Sequence, residues 1–438
     1  MTAEEIFFTK KDERVFKYVD GGRNIFLHGP AGTGKSTLLR EIYQRSTIKS
    51  SDKSSDKSVT KIVMTALTGC AAMYLVDGQT LHKFAGIKLG YGTAEDLVKK
   101  MNISAKENWK NVNIIIIDEV SMLGGSLFDK LDYIAKHLRK SSKPFGGIQL
   151  ILCGDMLQLP PINDTYIFES ETFNSLKLKI FNLTKQRRYD NKDFYKMLLR
   201  IRLMKTTKED IETLKECHNK YTKLDHLVSN FDIKPTILFS KKLDVDEYNY
   251  KELSKLSSKI YTYEAHDSFI PKDKSAIITN EQREYYRKML NNNISEILHF
   301  KEGAQIMLKI NIDVKAGLIN GSRGIIVDIN TKKDCISVKF IGGAVVDISS
   351  FQYKYEDKEN LILRDQIPLI LAWSLTIHKC QGSTLDSVIC DLGNNIFTYS
   401  QAYVALSRVR NLNGLYISQF DEGSLISDPK VLQFIKCL

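Results

Sequence analysis

The run His28-Gly29-Pro30-Ala31-Gly32-Thr33-Gly34-Lys35-Ser36-Thr37 constrains the fold of this chain more than any other, because it fills every fixed position of the pattern G-x-x-x-x-G-K-[ST]. Ile25, Phe26 and Leu27 predict a short apolar strand before it, and Thr37-Leu38-Leu39-Arg40-Glu41-Ile42-Tyr43 predicts a helix after it. Strand, glycine-rich loop and helix together make a phosphate-binding turn. The glycines let backbone N–H groups wrap a phosphate chain, and the helix N-terminus adds partial positive charge. Lys35 then reaches the β- and γ-phosphates and the Ser36 hydroxyl ligates Mg²⁺. Gly29, Pro30, Ala31, Gly32, Thr33, Gly34, Lys35, Ser36 and Thr37 are therefore the candidate nucleotide-binding residues.

A chain of 438 residues with 43% hydrophobic content is long enough for about two to four domains with proper cores. Its 63 Lys and Arg against 52 Asp and Glu give +11, a balance that favours a polyanionic partner such as nucleic acid. The cysteines at 70, 153, 217, 335, 380, 390 and 437 are odd in number and form no C-x-x-C pair, so neither a disulfide framework nor a zinc or iron–sulfur site is indicated. An intracellular, reducing compartment is expected. No apolar run approaches the ~18 residues of a membrane span, so no membrane is expected as a partner. Glu4, Glu5, Asp12 and Glu13 make the N-terminus unlike a targeting peptide.

Taken in order, Val15, Phe16 and Tyr18 lie on a predicted helix that leads into the Gly21-Gly22 turn and the first strand. Residues 46 to 60, with the doubled Ser-Ser-Asp-Lys, predict a mobile surface loop. Ile62-Val63-Met64-Thr65 is the second strand, running into the small residues Ala66 to Ala72. His82, Lys83 and Phe84 put donors, charge and a stacking ring together, as a single-strand groove does. The same local pattern equally suits a core Phe beside a surface His.

Ile114-Ile115-Ile116-Ile117-Asp118-Glu119 reads as a central parallel strand whose carboxyl end opens on the site. Asp118 would hold Mg²⁺ through its shell, and Glu119 would orient and deprotonate a water. Leu127, Leu131, Ile134 and Leu138 place an amphipathic helix over 126 to 139, with Asp129, Lys130, Lys136 and Arg139 outward. A buried strand from Gly147 to Cys153 then leads to Gly154-Asp155-Met156-Leu157-Gln158-Leu159-Pro160-Pro161. An amide there can bond both a γ-phosphate and the attacking water, which makes Gln158 a candidate sensor.

Five blocks, Gly29–Ser36, Asp118-Glu119-Val120-Ser121-Met122, the helix with Asp129-Lys130-Leu131-Asp132 and Arg139, Pro144–Leu150 and Gly154–Pro161, resemble the petite-integration-frequency (PIF) DNA helicases of superfamily one. Leu183-Thr184-Lys185-Gln186-Arg187-Arg188 is similar to that family's fourth motif, with its phosphate-contacting arginine at Arg188. The strand Pro235–Ser240, the helix carrying Val245, Tyr248 and Asn249, and Leu298 to Gly324 are similar too, and Asn320-Gly321 is a hairpin signal. Short β-like runs follow from 324 to 366. Pro368 to Leu385 resembles the fifth motif, with Cys380 where relatives often have Ser, and Tyr403–Arg410 resembles the sixth. Thr398 and Gln401 predict a capping box before that last helix. An arginine at its far end, Arg408, reads either as a surface ion pair or as a reach toward a γ-phosphate.

The resemblance covers about residues 8 to 420. It implies an α/β fold of two RecA-like P-loop NTPase lobes with parallel sheets, about 1–181 and 182–438, and a nucleotide between them. A small wedge-like insertion is expected near 87–111, and a small Src-homology-three-like β-barrel near 312–367. The implied activity is ATP- and Mg²⁺-dependent 5′-to-3′ movement on single-stranded DNA with unwinding of forked or tailed duplexes, by a monomer close to a minimal motor. A non-unwinding clamp and a RecD-like subunit of a nuclease assembly are the alternatives. Lys35, Asp118, Glu119, Gln158, Arg188 and Arg408 are the implied catalytic set, with Gln381 and Gly382 also at the nucleotide and Ser36 and Asp118 at the metal. Thr68, His82, Phe84, His378, Lys379 and Thr384 are placed along the DNA. Asp12 stands where relatives carry the Gln that reads adenine, which leaves the base preference open.

Overall fold

The computed structural model describes residues 9–51, 60–73, 75–88, 90–223, 233–273, 275–291, 294–313, 316, 318, 320–356 and 360–438. The chain forms two compact units, one of Met1–Lys205, Thr398–Ser400 and Ile426–Leu438, the other of Thr206–Phe397 and Gln401–Leu425.

The first unit is built on six parallel strands, β1 Ile25–His28, β2 Ile62–Ala66, β3 Gln79–Thr80, β4 Ile114–Asp118, β5 Gln149–Gly154 and β6 Lys179–Asn182, in the order β3-β2-β4-β5-β1-β6. The four isoleucines of β4 are all buried, and the reason lies in the period of a strand. Ile115 and Ile117 enter one core with Phe26, Leu150 and Leu152, while Ile114 and Ile116 enter the other with Ile25, Leu27 and Ile151. A sheet covered on both faces needs such an unbroken apolar run.

Its helices are α1 Lys10–Asp20, α2 Lys35–Ser51, α3 Gly69–Met73, α4 Leu81–Ala85, α5 Ala94–Lys100, α6 Ile103–Asn111, α7 Gly125–Arg139, α8 Glu171–Ser175 and α9 Lys192–Arg202. Helix α2 continues through Ser51, so the loop expected from residue 46 begins later, and its part over 52–59 lies outside the described residues. The stretch near 87–111 forms α5 and α6, whose Leu97, Val98, Ala105 and Trp109 belong to the main core. Two side chains expected outward on α7 are instead tied down. Asp129 Oδ1 accepts from Thr172 N at 3.0 Å, and Arg139 donates to the carbonyls of Gly146, Trp109, Lys110 and Val112 at 2.8–3.0 Å. A guanidinium with five donors can close several carbonyl ends that a helix terminus and a turn leave open.

The expected boundary at 181/182 is corrected to 205/206. Leu183 N donates to His28 O at 2.7 Å, and Arg202 near the chain's exit forms a buried ion pair with Asp155, so residues 183 to 205 belong with the first sheet. The C-terminal helix Pro429–Lys436 returns to the same unit, where Phe434 stacks on Phe168 at 4.2 Å.

The second unit has α10 Lys208–Thr222, β7 Thr236–Phe239, α11 Lys242–Lys255, β8 Tyr261–Glu264, β9 His266–Pro271, α12 Asn280–Asn291, β10 Ile297–Phe300, β11 Gln305–Leu308, β12 Arg323–Asn330, β13 Cys335–Phe340, β14 Val345–Ser349, β15 Phe351–Glu356, β16 Asn360–Gln366, β17 Leu369–Leu371, β18 Ser374–Thr376, β19 Val388–Leu392, α13 Gln401–Leu406 and β20 Leu415–Phe420. A parallel sheet β18-β7-β19-β20 is accompanied by antiparallel sheets β14-β13-β12-β11-β17, β15-β16-β9 and β10-β8. The antiparallel region therefore begins well before residue 312. Arg323 pins it to the parallel sheet: Nη1 donates to Lys234 O and Thr236 Oγ1, both at 2.8 Å, and the guanidinium forks onto Asp386. Gln401 reaches back to Phe397 N rather than closing a box at Thr398. Among the described residues no helix is long and apolar enough to cross a membrane, and Cys153, Cys217, Cys335, Cys390 and Cys437 form no disulfide.

Asp155 is fully buried, and its pair with Arg202 dictates a test. Burial alone would raise its pKa, but the Arg202 charge and hydrogen bonds from His28 and Arg202 hold it well below the usual carboxylate range. Such a group stabilises the fold at pH above its unfolded value of ~3.9, and the contribution lasts until pH falls through the lower folded value. Arg202→Met leaves the charge uncompensated, so urea titrations at pH 7 should show a loss of about 3–5 kcal/mol. The deficit should shrink toward acid pH, where protonation neutralises Asp155 in the variant. An unchanged midpoint would show that the pair does not hold these strand ends.

Candidate nucleotide site

Strand β1 ends at His28, α2 begins at Lys35, and the loop between them crosses the carboxyl edge of the first sheet. Gly32 and Gly34 have φ of 81° and 82°, the left-handed region that glycine enters without penalty. Gly29 is required for space: a Cβ there would stand 2.5 Å from Leu183 O. Thr33 Oγ1 donates to Pro30 O at 2.9 Å, closing the loop on itself. Lys35 Nζ donates to Gly29 O at 2.7 Å and Pro30 O at 3.0 Å, so the ammonium is folded over its own loop. Phosphate oxygens would replace two neutral acceptors by charged ones, and charge-assisted bonds are roughly twice as strong.

Asp118 closes β4 beside the loop, with Ser36 Oγ 3.5 Å from its Oδ2. Burial, together with the neighbouring Glu119 charge, raises Asp118 to about 6, against the opposing pull of the Glu119 N–H, Lys35 and Cys153. Glu119 takes φ 56° and ψ 42°, a left-handed conformation uncommon for a residue with a Cβ. The strain turns the chain sharply after the strand, with Glu119 N donating to Asp118 Oδ1 at 2.9 Å. Gln158 follows β5, its N donating to Asp155 O at 2.9 Å, and its buried Oε1 has no hydrogen-bond partner among the described residues. A buried amide oxygen without a partner costs about 1–3 kcal/mol unless something fills the site.

Beneath the loop lies a buried polar network. His28 Nδ1 is 3.2 Å from Asn182 Oδ1, and Arg202 Nε donates to Asp155 Oδ2 at 3.0 Å while its Nη2 meets Asp155 Oδ1 at 2.5 Å. The ends of β6, β1 and β5 are thereby tied together.

The segment Gln186 to Tyr189 crosses the loop. A Cβ on Gly32 would stand 2.7 Å from Arg188 Cβ, and one on Gly34 would stand 2.9 Å from Arg187 Cδ. Arg188, expected on the second lobe, is thus on the same unit as the phosphate loop. Arg187 N donates to Gly32 O at 2.7 Å, and its Nη2 lies 3.2 Å from Asp12 Oδ2. Arg408 belongs to the second unit and is 1% exposed, so it is no surface ion pair. Its Nη1 donates to Cys380 O at 3.0 Å and Ser383 O at 3.1 Å, and its Nε to Val404 O at 2.7 Å, so it braces the turn that holds Gln381 and Gly382.

Of the residues expected along a DNA strand, Phe84 is corrected. It is 3% exposed and packs against Trp109 with ring centroids 5.1 Å apart, because the apolar side of α4 faces α6. Thr68 Oγ1 accepts from Ala71 N at 3.1 Å at the start of α3. His82 is half-buried on the first unit; His378 and Thr384 are half-buried and Lys379 exposed on the second. Burial lowers the pKa of both histidines, which favours their neutral form.

A family model described as PIF1-like helicase matches residues 7–212, and one described as DNA helicase Pif1, 2B domain, matches residues 287–329. The ATP-dependent DNA helicase PIF1 of Xenopus laevis is 36% identical over 442 residues, which cover 98% of this chain and 64% of that protein. The crystal structure of Pif1 helicase from Candida albicans matches with a TM-score of 0.79 at 32% identity, covering 99% of this chain and 100% of that one. The chain belongs to the PIF1-like helicase family. The Pif1 helicase from Bacteroides, crystallised with ADP-AlF3 and ssDNA, matches with a TM-score of 0.68 at 26% identity, covering 99% of this chain and 97% of that one. Both parallel sheets are accordingly of the RecA-like α/β kind. The chain spans just under two thirds of the Xenopus PIF1 protein, 64% of its length.

Sequence reasoning passed over Asp155, Arg202, His28 and Arg187. Asp155, within the run Gly154–Pro161, carries a usable signal, since an acid at the end of an apolar strand demands a partner. Its partner, 47 residues away, has no sequence mark.

Because Phe84 is core, Phe84→Ala should lower unfolding free energy by about 3–5 kcal/mol in urea titrations. Oligothymidine affinity of the folded variant should stay near wild type. A selective loss of binding with unchanged stability would return Phe84 to the DNA face.

Proposed function

We propose that this member of the PIF1-like family is an ATP-dependent DNA helicase that moves 5′-to-3′ on single-stranded DNA and unwinds forked or tailed duplexes. The observation that carries the reading is one cradle lined by a phosphate loop, an adjacent acid pair and a buried glutamine with an unfilled acceptor, in a chain of this family. In the similar structures, ADP-AlF3 and ssDNA are bound by Bacteroides Pif1, and unwinding at forked duplex DNA is described for two coordinating Pif1 helicases. Here the monomer is the proposed unit, with single-stranded and forked DNA as partners and a reducing compartment in keeping with free thiols.

The residues take roles that their chemistry suits. Backbone N–H groups of residues 31–37 and the Lys35 ammonium compensate phosphate charge, and Glu119 orients a water and accepts its proton. Gln158 accepts a hydrogen bond from that water at its spare Oε1, while its amide N–H groups can donate to a terminal phosphate oxygen. Arg188 lies at the loop already, and Arg408, Gln381 and Gly382 are the further residues proposed to contact the nucleotide. The donor set fits Mg²⁺, since Ser36 and Asp118 are hard oxygen ligands beside the loop. When bound, Mg²⁺ would neutralise charge on the β- and γ-oxygens. Thr68, His82, His378, Lys379 and Thr384 remain the proposed DNA contacts.

The two units are read as the two RecA-like lobes. The antiparallel strands β12–β16, within about 312–367, are read as a small Src-homology-three-like barrel. The reading is supported by short strands, a bulge between Ile326 and Asp328, and passage of the chain to another sheet across Ser350.

Two duplexes identical except for a 5′ or a 3′ single-stranded tail, with ATP and Mg²⁺ at low salt, test the activity. Unwinding is expected from the 5′ tail alone, and Glu119→Gln should abolish it while nucleotide binding persists. Unwinding from the 3′ tail alone would overturn the polarity, and DNA-stimulated hydrolysis without unwinding would favour a clamp or a RecD-like subunit. A second expectation concerns pH. A metal-binding carboxylate must be deprotonated, so with Asp118 at about 6, apparent Mg²⁺ affinity should weaken roughly fourfold at pH 5.5 relative to pH 7.5. Asp118→Asn should remove that dependence; its persistence in the variant would assign it to another group.

A further inference from the structure

Cys153 occupies a place in the first sheet that packing alone does not account for. It is fully buried on β5, just before Gly154, and its neighbours on both sides carry the nucleotide site. On one side the register pairs it with Leu27 of β1, which precedes His28 and Gly29. On the other, Ile117 pairs with Leu152, so the next step along both strands brings Asp118 beside Cys153. Alternation along a strand puts Cys153 on the face of Ile151, and Asp118 on the face of Ile114 and Ile116. Those residues share one core with Leu38 and Leu39 of α2, so thiol and carboxylate lie on the side of the sheet that the helix of Lys35 and Ser36 covers.

A side-chain hydrogen bond joins the two groups. Burial pushes the Cys153 thiol well above its usual range and the Asp118 charge adds to this, so the thiol keeps its proton and is the donor. Asp118 needs one. It is buried, Oδ1 accepts from Glu119 N at 2.9 Å, and Ser36 Oγ stands off Oδ2 at 3.5 Å. A carboxylate held firmly at one oxygen can still turn about its last torsion, and a bond from the neighbouring strand stops that turn. A thiol suits the task because it packs as a small apolar group among Leu27 and Ile151, yet donates a weak bond that leaves the carboxylate free for a cation. Valine would fill the same space and give no bond.

We propose that Cys153 is a positioning residue for the metal carboxylate: its S–H bond fixes the plane of Asp118 beside Ser36, so that a divalent cation meets an oriented ligand. The proposal rests on the reading of Asp118 and Ser36 as oxygen donors to Mg²⁺.

Two measurements on the full chain test it without turnover. The S–H stretch falls in an infrared window clear of other protein bands, and subtracting the spectrum of a matching Cys153→Val or Cys153→Ser variant isolates this thiol. In Asp118→Asn the isolated band should shift toward the free-thiol position, because a neutral amide is a weaker acceptor than a carboxylate. A band that does not move would overturn the proposal. The second measurement is Mn²⁺ affinity at saturating non-hydrolysable ATP analogue, followed by electron paramagnetic resonance. Loss of a bond that orients a metal ligand costs ~10–100-fold in metal affinity, and a weak donor belongs at the low end, so Cys153→Val should bind Mn²⁺ roughly tenfold more weakly. Cys153→Ser returns a donor at the same place and should stay within about threefold of the wild type. Wild-type affinity in Cys153→Val, or equal losses in both variants, would make Cys153 a filler of the core and overturn the proposal. Nucleotide binding by the wild type with no uptake of Mn²⁺ would instead overturn the reading of Asp118 as a metal ligand, and the proposal with it.

Discussion

Asp155 carries a full charge with no exposure, and the carboxyl edge of the first sheet is arranged around neutralising it. Arg202 forks onto its two oxygens, and His28 lies 3.6 Å from Oδ1. The consequence reaches the chemistry through covalent neighbours. His28 immediately precedes the first glycine of the phosphate loop, and Asp155 accepts Leu157 N at 3.2 Å and Gln158 N through its carbonyl. The loop and Gln158 therefore share one rigid support, which is how a site is kept in register when its own groups lack a ligand.

The cradle itself is left electrostatically unfinished. Two adjacent carboxylates and one ammonium meet in a site where Asp118 is fully buried, so burial and like charge push its pKa upward. Lys35 borrows carbonyls from its own loop, and Gln158 has a spare acceptor. Each is a group whose best partner is an anion, a cation or a water that a nucleotide would bring.

Much of the parallel architecture was legible because its signals are local. The apolar run of β4 needs two covered faces, the glycine pattern needs positive φ at Gly32 and Gly34, and α7 shows its period directly. The errors share a cause as well. Charge alone points Arg139 and Asp129 outward, but each finds backbone partners on other elements. Phe84 matched a stacking ring by type, yet only the packing of α4 against α6 decides which side of that short helix faces the core. Similarly, residues 183 to 205 follow the last strand of the first sheet, and nothing local says to which unit they cling.

The sequence by itself determined the phosphate loop, the acid pair at the end of a buried strand and the class of sheet around them, since each follows from backbone conformation or a periodicity of a few residues. Tertiary structure alone decided the pairings across long separations: Asp155 with Arg202, Asp12 with Arg187, Arg323 with Asp386. It also decided that Arg188 lies beside Gly32 and that Arg408 points into its own unit. The physical reason is that a charged side chain is satisfied by whichever opposite charge or carbonyl the fold brings near, and residue type states the demand without naming the partner.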